Sequence, residues 1–223
     1  MRNSGNKITR YVSIFTMLFV YSLSANAQTG VVGVRFMPTI SSFKVKSSSG
    51  GNLSGQATLG YGGGILLGYN FSDYLGIQGE VIYNSLSQQY TDRDVTRKIN
   101  LRYINIPILF SLNTGVTKPV NFNIVVGPQM GFNVGSTAFT SGEDTTKAVL
   151  AVRKGDLGFA YGAGLDFGLN SAHTVRLGIG FRGVYGLIDI SDNSQTTASD
   201  SYLLLDRTHV RTYSAYIGLS FLF

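Results

Sequence analysis

The sequence predicts an all-β fold, an eight-stranded antiparallel up-and-down transmembrane β-barrel. Three observations support this prediction. Apolar residues alternate with polar residues or glycine along eight segments, most of them longer than an ordinary strand. The connections between these segments are long and short in turn, as in barrels with tight turns at one rim and larger loops at the other. The last segment ends on an aromatic residue, Phe223.

The clearest alternation runs over residues 156–169. Its odd positions are apolar or aromatic, and its even positions are glycine or alanine with two carboxylates, Asp156 and Asp166. This run is about twice the usual strand length of about 5–6 residues. It suits a strand that crosses a bilayer, which needs about 9–11 residues.

The same pattern predicts the other seven strands and their connections. The eight strands are predicted at residues 30–42, 57–70, 74–87, 98–112, 120–136, 156–169, 175–187 and 207–223. The long loops are predicted at residues 43–56, 88–97, 137–154 and 191–206. Pro107 interrupts the fourth strand and predicts a β-bulge there. A secreted β-sandwich is the alternative fold, but it does not explain the regular alternation of loop lengths.

Aromatic residues fall near both ends of the predicted strands, as expected for two belts at the lipid headgroups. The short-turn ends carry Tyr69, Phe71, Phe122, Phe167 and Phe221. The long-loop ends carry Tyr83, Phe132, Phe159, Tyr185 and Tyr213.

Residues 1–27 are predicted to be a cleaved signal peptide, followed by a single barrel domain at residues 28–223. The leader has a basic start, an apolar run too short to span a bilayer, and an Ala25-Asn26-Ala27 cleavage site. Its three basic residues, Arg2, Lys7 and Arg10, account for half of the net charge of +6. The mature domain is therefore weakly charged, which gives no support to nucleic-acid binding.

Composition excludes several kinds of site. The chain has no cysteine and only two histidines, so no cofactor or metal site is expected. The acidic residues Asp92, Asp94, Glu143 and Asp144 lack the spacing of a calcium loop. The loops carry mixed charge, which fits contact with outer-membrane lipid and lipopolysaccharide headgroups or with a protein partner.

The C-terminal segment resembles the terminal-strand signal that the barrel assembly machinery reads in bacterial outer-membrane proteins. The residues of this assembly signal are Tyr213, Ile217, Leu219, Phe221 and Phe223.

Five charged residues share the inward face of the predicted strands: Arg35, Glu80, Asp166, Arg176 and Arg182. An eight-stranded barrel is just wide enough to be filled by side chains, and buried charges must pair. Inward glycines such as Gly62, Gly162, Gly164, Gly178 and Gly180 leave room for the arginines. The sequence therefore predicts a lumen charge network that plugs the barrel, with Asp166 as counter-ion for an arginine. A narrow path for water or small ions is the alternative.

An outer-leaflet lipid A-modifying enzyme is a further alternative. Such an enzyme needs a base or nucleophile at the loop rim. His173 is predicted at a short turn, on the wrong side, whereas His209 is near the loop rim with Asp206 and Ser201 close in sequence. No His-x-Ser pair is present, so a non-enzymatic protein is expected.

The stretch YINIPILF at residues 103–110, GPQMG at residues 127–131, and Asp166 with its neighbouring glycines resemble PorT-like outer-membrane barrel proteins of Bacteroidetes-type bacteria. The resemblance implies a multi-pass protein of the cell outer membrane. It also implies an accessory role in protein secretion or surface display, with secretion-system or surface proteins as partners.

Overall fold

A computed structural model describes residues 30–42, 45–46, 52–53, 55–92, 95–141, 153–188 and 210–223. The predicted signal peptide lies outside these residues, as do most of the loops predicted at 43–56, 137–154 and 191–206. Eight long strands form the barrel: β1 (Gly30–Ser42), β2 (Leu59–Asn70), β3 (Leu75–Asp92), β4 (Val95–Asn113), β5 (Val120–Ser141), β6 (Gly155–Gly168), β7 (Val175–Gly186) and β8 (Arg211–Leu222). Among the described residues, no helix is long and apolar enough to cross a membrane.

The eight strands close into one antiparallel ring. Around the ring they follow the order β3, β2, β1, β8, β7, β6, β5 and β4, and β4 pairs with β3 to complete it. Gly30 and Phe223 exchange backbone hydrogen bonds of 2.9 and 3.0 Å, so the first and last strands meet at the same rim. The predicted eight-stranded up-and-down barrel is confirmed.

The two rims of the barrel differ. The turns at residues 71–74, 114–119 and 169–174 lie at one rim with Gly30 and Phe223, and we call this rim the turn end. We call the opposite rim the loop end. Three short strands lie between β1 and β2, namely Val45–Lys46, Asn52–Leu53 and Gly55–Ala57, and the last of these pairs with β3.

The outer wall is apolar, as the period-two pattern predicted. Outward residues such as Val34, Ile65, Phe132 and Ile217 are 47–54% exposed, whereas inward residues such as Met37 and Tyr216 are 3–4% exposed. Most of the predicted aromatic positions follow the same rule, since Phe71, Tyr83 and Phe159 are exposed, whereas Tyr69 and Phe167 are half-buried. This arrangement places apolar side chains where lipid contacts a barrel.

Strands β3, β4 and β5 are longer than predicted. They contain 18, 19 and 22 residues, whereas β7 and β8 contain 12 each. The loop predicted at 88–97 is therefore mostly a continuation of the β3–β4 hairpin, with pairing up to Asp92↔Val95. The sequence did not predict this extension, because the segment is mostly polar and lacks the alternating apolar residues that marked the other strands.

The bulge predicted at Pro107 is wrong in its position. The register of β4 against β5 shifts between Arg102 and Tyr103, and Pro107 itself pairs with Gln129. On its other side, the β3–β4 pairing stops at Gly79↔Ile108 and resumes at Ile82↔Asn105. The missing N–H of proline is thus accommodated by a gap in one ladder rather than by a bulge.

Candidate functional site

The centre of the lumen holds one buried carboxylate between two arginines. Glu80 on β3 accepts hydrogen bonds from Arg182 Nη1 at 3.3 Å and Nη2 at 3.1 Å. Arg35 on β1 donates to the same carboxylate through Nη1, and Gln78 adds a 2.8 Å bond. We call Arg35, Glu80 and Arg182 the lumen triad. Glu80 and Arg182 are 3% and 2% exposed, so the triad is shielded from water.

An aromatic ring supports the triad. The Arg35 guanidinium carbon lies 4.6 Å from the centre of the Tyr216 ring, within cation–π range. Tyr216 also packs with Met37 and Ile82 in a buried cluster. A side chain at Gly164 or Gly180 would clash with the end of the Tyr216 ring. These two glycines therefore make space for an aromatic ring.

Glycines also flank the arginines of the triad. A Cβ at Gly218 would come within 2.9 Å of Arg35 Cγ, and one at Gly162 within 3.3 Å of Arg182 Nε. Gly178 instead faces the carboxylate of Asp166, and Gly62 faces Asn84. The predicted link between inward glycines and long arginines thus applies to Gly162, whereas Gly164 and Gly180 serve Tyr216.

Arg176 lies apart from the triad, at the turn end of the lumen. Its guanidinium donates to the backbone carbonyls of Val116 at 2.7 Å, Lys118 at 3.0 Å, His173 at 3.3 Å and Asp166 at 3.0 Å. Because Val116 and Lys118 belong to the turn before β5 and His173 to the turn before β7, Arg176 ties two turns together.

Among the described residues, the carboxylate of Asp166 makes no direct ion pair with an arginine, although its charge attracts the Arg176 guanidinium. Its carboxylate accepts hydrogen bonds from Asn121 Nδ2 at 3.3 Å and Asn123 Nδ2 at 2.6 Å. Arg176 binds the backbone oxygen of Asp166 and not its side chain. The reason is that asparagines on the paired strand β5 lie beside Asp166, while the Arg176 guanidinium is taken up by turn carbonyls.

Two described cavities lie on either side of the triad. The larger one, about 60 Å³, is at the turn end and is lined by Arg35, Asn70, Asn113, Asp166 and Arg176 among others. The smaller one, about 20 Å³, is at the loop end and includes Tyr103 and Asp156 in its wall. The triad and its apolar neighbours separate them.

Several buried apolar side chains occupy the loop-end half of the lumen. Leu86, Ile99 and Leu101 are 0–3% exposed although their strands extend beyond β7 and β8. Leu109, Val125 and Ala160 form a second buried cluster, against which Val184 packs. The loop-end half of the lumen is therefore more closely packed than the turn-end half, which holds the larger cavity.

The outside of the loop end is basic. Exposed cationic side chains there are Lys98, Arg102, Arg153, Lys154 and Arg211, which we call the basic rim. Arg211 stacks on Tyr185 at 4.8 Å. Among the residues whose side chains are described, no exposed carboxylate accompanies them at this end, since Asp156 lines the lumen cavity.

The residues of the predicted C-terminal assembly signal all lie on β8 or just after it. Tyr213, Ile217, Phe221 and Phe223 are 44–69% exposed on the outer wall, and Leu219 is half-buried. Their recognition by the assembly machinery stays a prediction.

Of the two histidines, only His173 lies in the described part of the chain. His173 is in the turn before β7, with a positive φ of 55°. His209, Asp206 and Ser201 lie outside the described residues. The acidic loop residues Asp94, Glu143 and Asp144 do so as well, and the described residues contain no group of acidic residues and histidines that could hold a metal ion.

Sequence reasoning missed four polar residues that complete the lumen: Gln78, Asn121, Asn123 and Tyr216. Each has the parity of an inward residue, so the alternation marked its direction. The sequence did not show which residues they contact. Contacts across the lumen depend on the position of each residue along the barrel axis, which is set by strand register and tilt. Only the structure shows that Tyr216 meets Arg35 and that Asn123 meets Asp166.

Known proteins share this architecture. OprG of Pseudomonas aeruginosa is 15% identical with a TM-score of 0.54, over 89% of this chain and 98% of OprG. Neisserial surface protein A is 16% identical with a TM-score of 0.49, over 89% of this chain and 99% of that protein. At these identities the likeness concerns the fold alone. No curated protein sequence matches the chain.

A family model gives the identification. The model described as "Outer membrane protein beta-barrel domain" matches residues 26–192, about three quarters of the chain. This match agrees with the closed ring of eight strands and with the apolar outer wall. The chain therefore belongs to the family of outer-membrane proteins that is defined by this β-barrel domain.

Proposed function

We propose that this protein is a non-enzymatic outer-membrane scaffold with a closed lumen, which binds partners at its loop end. The observation that carries the proposal is the clamping of Glu80 between Arg182 and Arg35 in the centre of the barrel. Breaking these buried ion pairs is costly in free energy, because each partner left alone would be an unpaired buried ion. A packed lumen leaves the outer surface and the rims as the places for interaction.

The loop end offers two features to a partner. The extended parts of β3, β4 and β5 form a paired sheet beyond the other strands. The basic rim lies beside it, and Arg102 is only two residues from Ile104 at the edge of the apolar wall. Phosphate groups of outer-leaflet lipopolysaccharide lie at this level of a membrane, so we include this lipid among the partners.

Lipid binding can be tested with vesicles. The protein would be reconstituted with and without lipid A, and its thermal stability compared for the wild type and for Arg102→Gln combined with Lys154→Gln. We expect lipid A to stabilise the wild type more than this variant. Lys118→Gln at the turn end is the control and should behave as wild type. Equal stabilisation of all three proteins would argue against the basic rim as the binding site.

A role in protein secretion is the more specific form of the proposal. It is supported by the resemblance of residues 103–110 and 127–131 to PorT-like proteins. A deletion strain examined for its secreted proteins and for envelope integrity tests it. Loss of exported proteins from the medium would support the secretion role. A normal set of secreted proteins would remove it and leave an envelope or adhesive role.

A narrow path for water or small ions is the second candidate, favoured by the polar cavity below the triad. Planar-bilayer recordings of the wild type and of Arg182→Ala distinguish the two. A closed scaffold shows no stable unit openings in the wild type. Stable openings that change in Arg182→Ala would instead identify a conducting lumen.

The absence of enzymatic activity is tested separately. Purified protein would be incubated with outer-membrane lipid, and the acyl pattern of lipid A followed by mass spectrometry. We expect no change, because His173 is the one histidine in the described residues and lies at the turn end, away from outer-leaflet lipid. A changed acyl pattern would revive a role for His209.

A further inference from the structure

The turn-end cavity is the feature of the lumen that the scaffold role leaves unexplained. Its volume of about 60 Å³ has room for about four water-sized molecules. Arg35 forms its upper wall and Arg176 its lower wall, with Asn70, Asn113 and Asp166 at the sides. Polar groups in such a place normally find hydrogen-bond partners, so each of them should be accounted for.

Three buried N–H donors in this wall have no acceptor among the residues that the structure describes. They are Asn70 Nδ2, Asn113 Nδ2 and Arg176 Nε. Asn70 and Arg176 are 9% and 2% exposed, which keeps bulk water from them. An arginine Nε can only donate, so the need of Arg176 for an acceptor does not depend on how an amide is oriented.

The orientation of Asn113 is fixed by its neighbours. Its Oδ1 accepts hydrogen bonds from Ser111 Oγ at 3.3 Å and from Asn121 Nδ2 at 3.0 Å. Asn121 is fixed in turn, because its own Oδ1 accepts the backbone N–H groups of Thr114 and Gly115, both at 3.1 Å. Asn113 can therefore present only N–H to the cavity.

The charges around the cavity are also unbalanced. The triad has two arginines for one carboxylate, so it carries a net positive charge, and Arg35 lines the cavity. The other two charges in the wall, those of Asp166 and Arg176, offset each other and leave the excess charge of the triad. Asp156 is ten residues along β6 from Asp166, about 33 Å away at strand spacing, and lines the other cavity.

We propose that the turn-end cavity is a binding site for a small monovalent anion such as chloride. The anion accepts hydrogen bonds from Asn113, Asn70 and Arg176 and balances the excess charge of the triad through Arg35. Water alone would satisfy these donors but would leave the excess positive charge of the triad unbalanced. A cation is disfavoured, since the unpaired groups are N–H donors. The site is independent of any partner at the loop end.

Bromide locates the site directly. Crystals of the full-length protein grown with bromide in place of chloride should show an anomalous peak in this cavity, within hydrogen-bond distance of Asn113 Nδ2. A cavity that contains only water under these conditions would overturn the proposal.

Thermal stability in solution provides a second readout. At constant ionic strength, replacing gluconate by chloride should raise the melting temperature of the wild type by about 2–4 °C. Asn113→Asp puts an acceptor charge in place of the free donor and should abolish this rise. Asp166→Asn removes the repelling carboxylate and should increase it. Both changes preserve side-chain size, and an equal chloride response of all three proteins would contradict the site.

Discussion

Arg182 on β7 reaches across the lumen to bind both oxygens of Glu80 on β3, with Nη–Oε distances of 3.1 and 3.3 Å. β3 and β7 are four places apart in a ring of eight strands, so this ion pair joins opposite walls of the barrel. Arg35 approaches the same carboxylate from β1, midway between them. The three side chains therefore link β1, β3 and β7 across the lumen.

Neutralising Glu80 should remove the ion pairs of the lumen triad and destabilise the barrel. Glu80→Gln leaves two buried guanidinium groups without a counter-charge, and we expect the free energy of unfolding to fall by about 3–5 kcal/mol. Urea unfolding in lipid vesicles measures this. Asp73→Asn, which neutralises an exposed carboxylate in the turn before β3, is the matched control and should change stability by no more than about 0.5 kcal/mol. A similar fall in the free energy of unfolding of both variants would mean that the triad does not stabilise the barrel.

The space that Gly164 leaves for Tyr216 gives a second prediction. Gly164→Ala places a methyl group against the Tyr216 hydroxyl, and overpacking of this kind typically costs about 1–3 kcal/mol. Tyr216→Phe added to Gly164→Ala removes the nearest atom and should recover part of the loss, which a double-mutant cycle would show. Gly79→Ala is the control, because a methyl group at Gly79 would meet no other side chain or backbone atom within 4 Å. Additive effects of the two changes would contradict a direct clash.

Arg176 should keep two turns in an ordered conformation. Arg176→Lys keeps the charge but cannot bind the carbonyls of Val116, Lys118 and His173 together. We expect faster amide hydrogen exchange in residues 114–119 and 169–174. Arg211→Lys at the opposite rim should leave exchange in these turns unchanged. Unaltered exchange in Arg176→Lys would show that the turns hold their own shape.

The apolar outer wall predicts a depth-dependent cost for charge. Ile65 is 54% exposed in the middle of β2, so Ile65→Arg should destabilise the barrel in vesicles by about 2–4 kcal/mol. Val134 is 51% exposed near the loop end, where Val134→Arg should cost about 0–1 kcal/mol. If the two variants lost equal stability, the bilayer would not be centred at the level of Ile65.

Phe223 should matter for assembly more than for stability. Its backbone pairs with Gly30, while its ring is 69% exposed. Phe223→Ser keeps the backbone bonds, so purified protein should refold nearly as well as wild type. In cells we expect a lower assembled fraction, measured by heat-modifiable gel migration of outer-membrane samples. Ser220→Thr is a control with an intact terminal aromatic residue.

The barrel itself could be predicted because lipid and a packed lumen impose opposite demands on alternate residues. Val34 and Arg35 are neighbours in sequence, yet one contacts the outside and the other the triad. Period-two alternation records this difference along every membrane-spanning strand. The even number of strands then follows from closing an antiparallel sheet.

The partners within the lumen could not be predicted in the same way. Alternation shows that Asp166 and Arg176 point inward but not how high each one is relative to the other strands. The structure gives Asp166 two asparagines and gives Arg176 four carbonyls. The bulge was misplaced for a related reason, because Pro107 lacks only its own N–H and a gap beside it in the β3–β4 ladder is enough.

The unequal strand lengths make the two sides of the molecule differ in height. β5 has ten residues more than β7, which at strand spacing and a tilt of about 40° corresponds to about 25 Å along the barrel axis. Among the described residues, the side formed by β3, β4 and β5 therefore extends farthest at the loop end. With the loop end facing the outer leaflet, as proposed, antibodies raised against intact cells are expected to recognise this side.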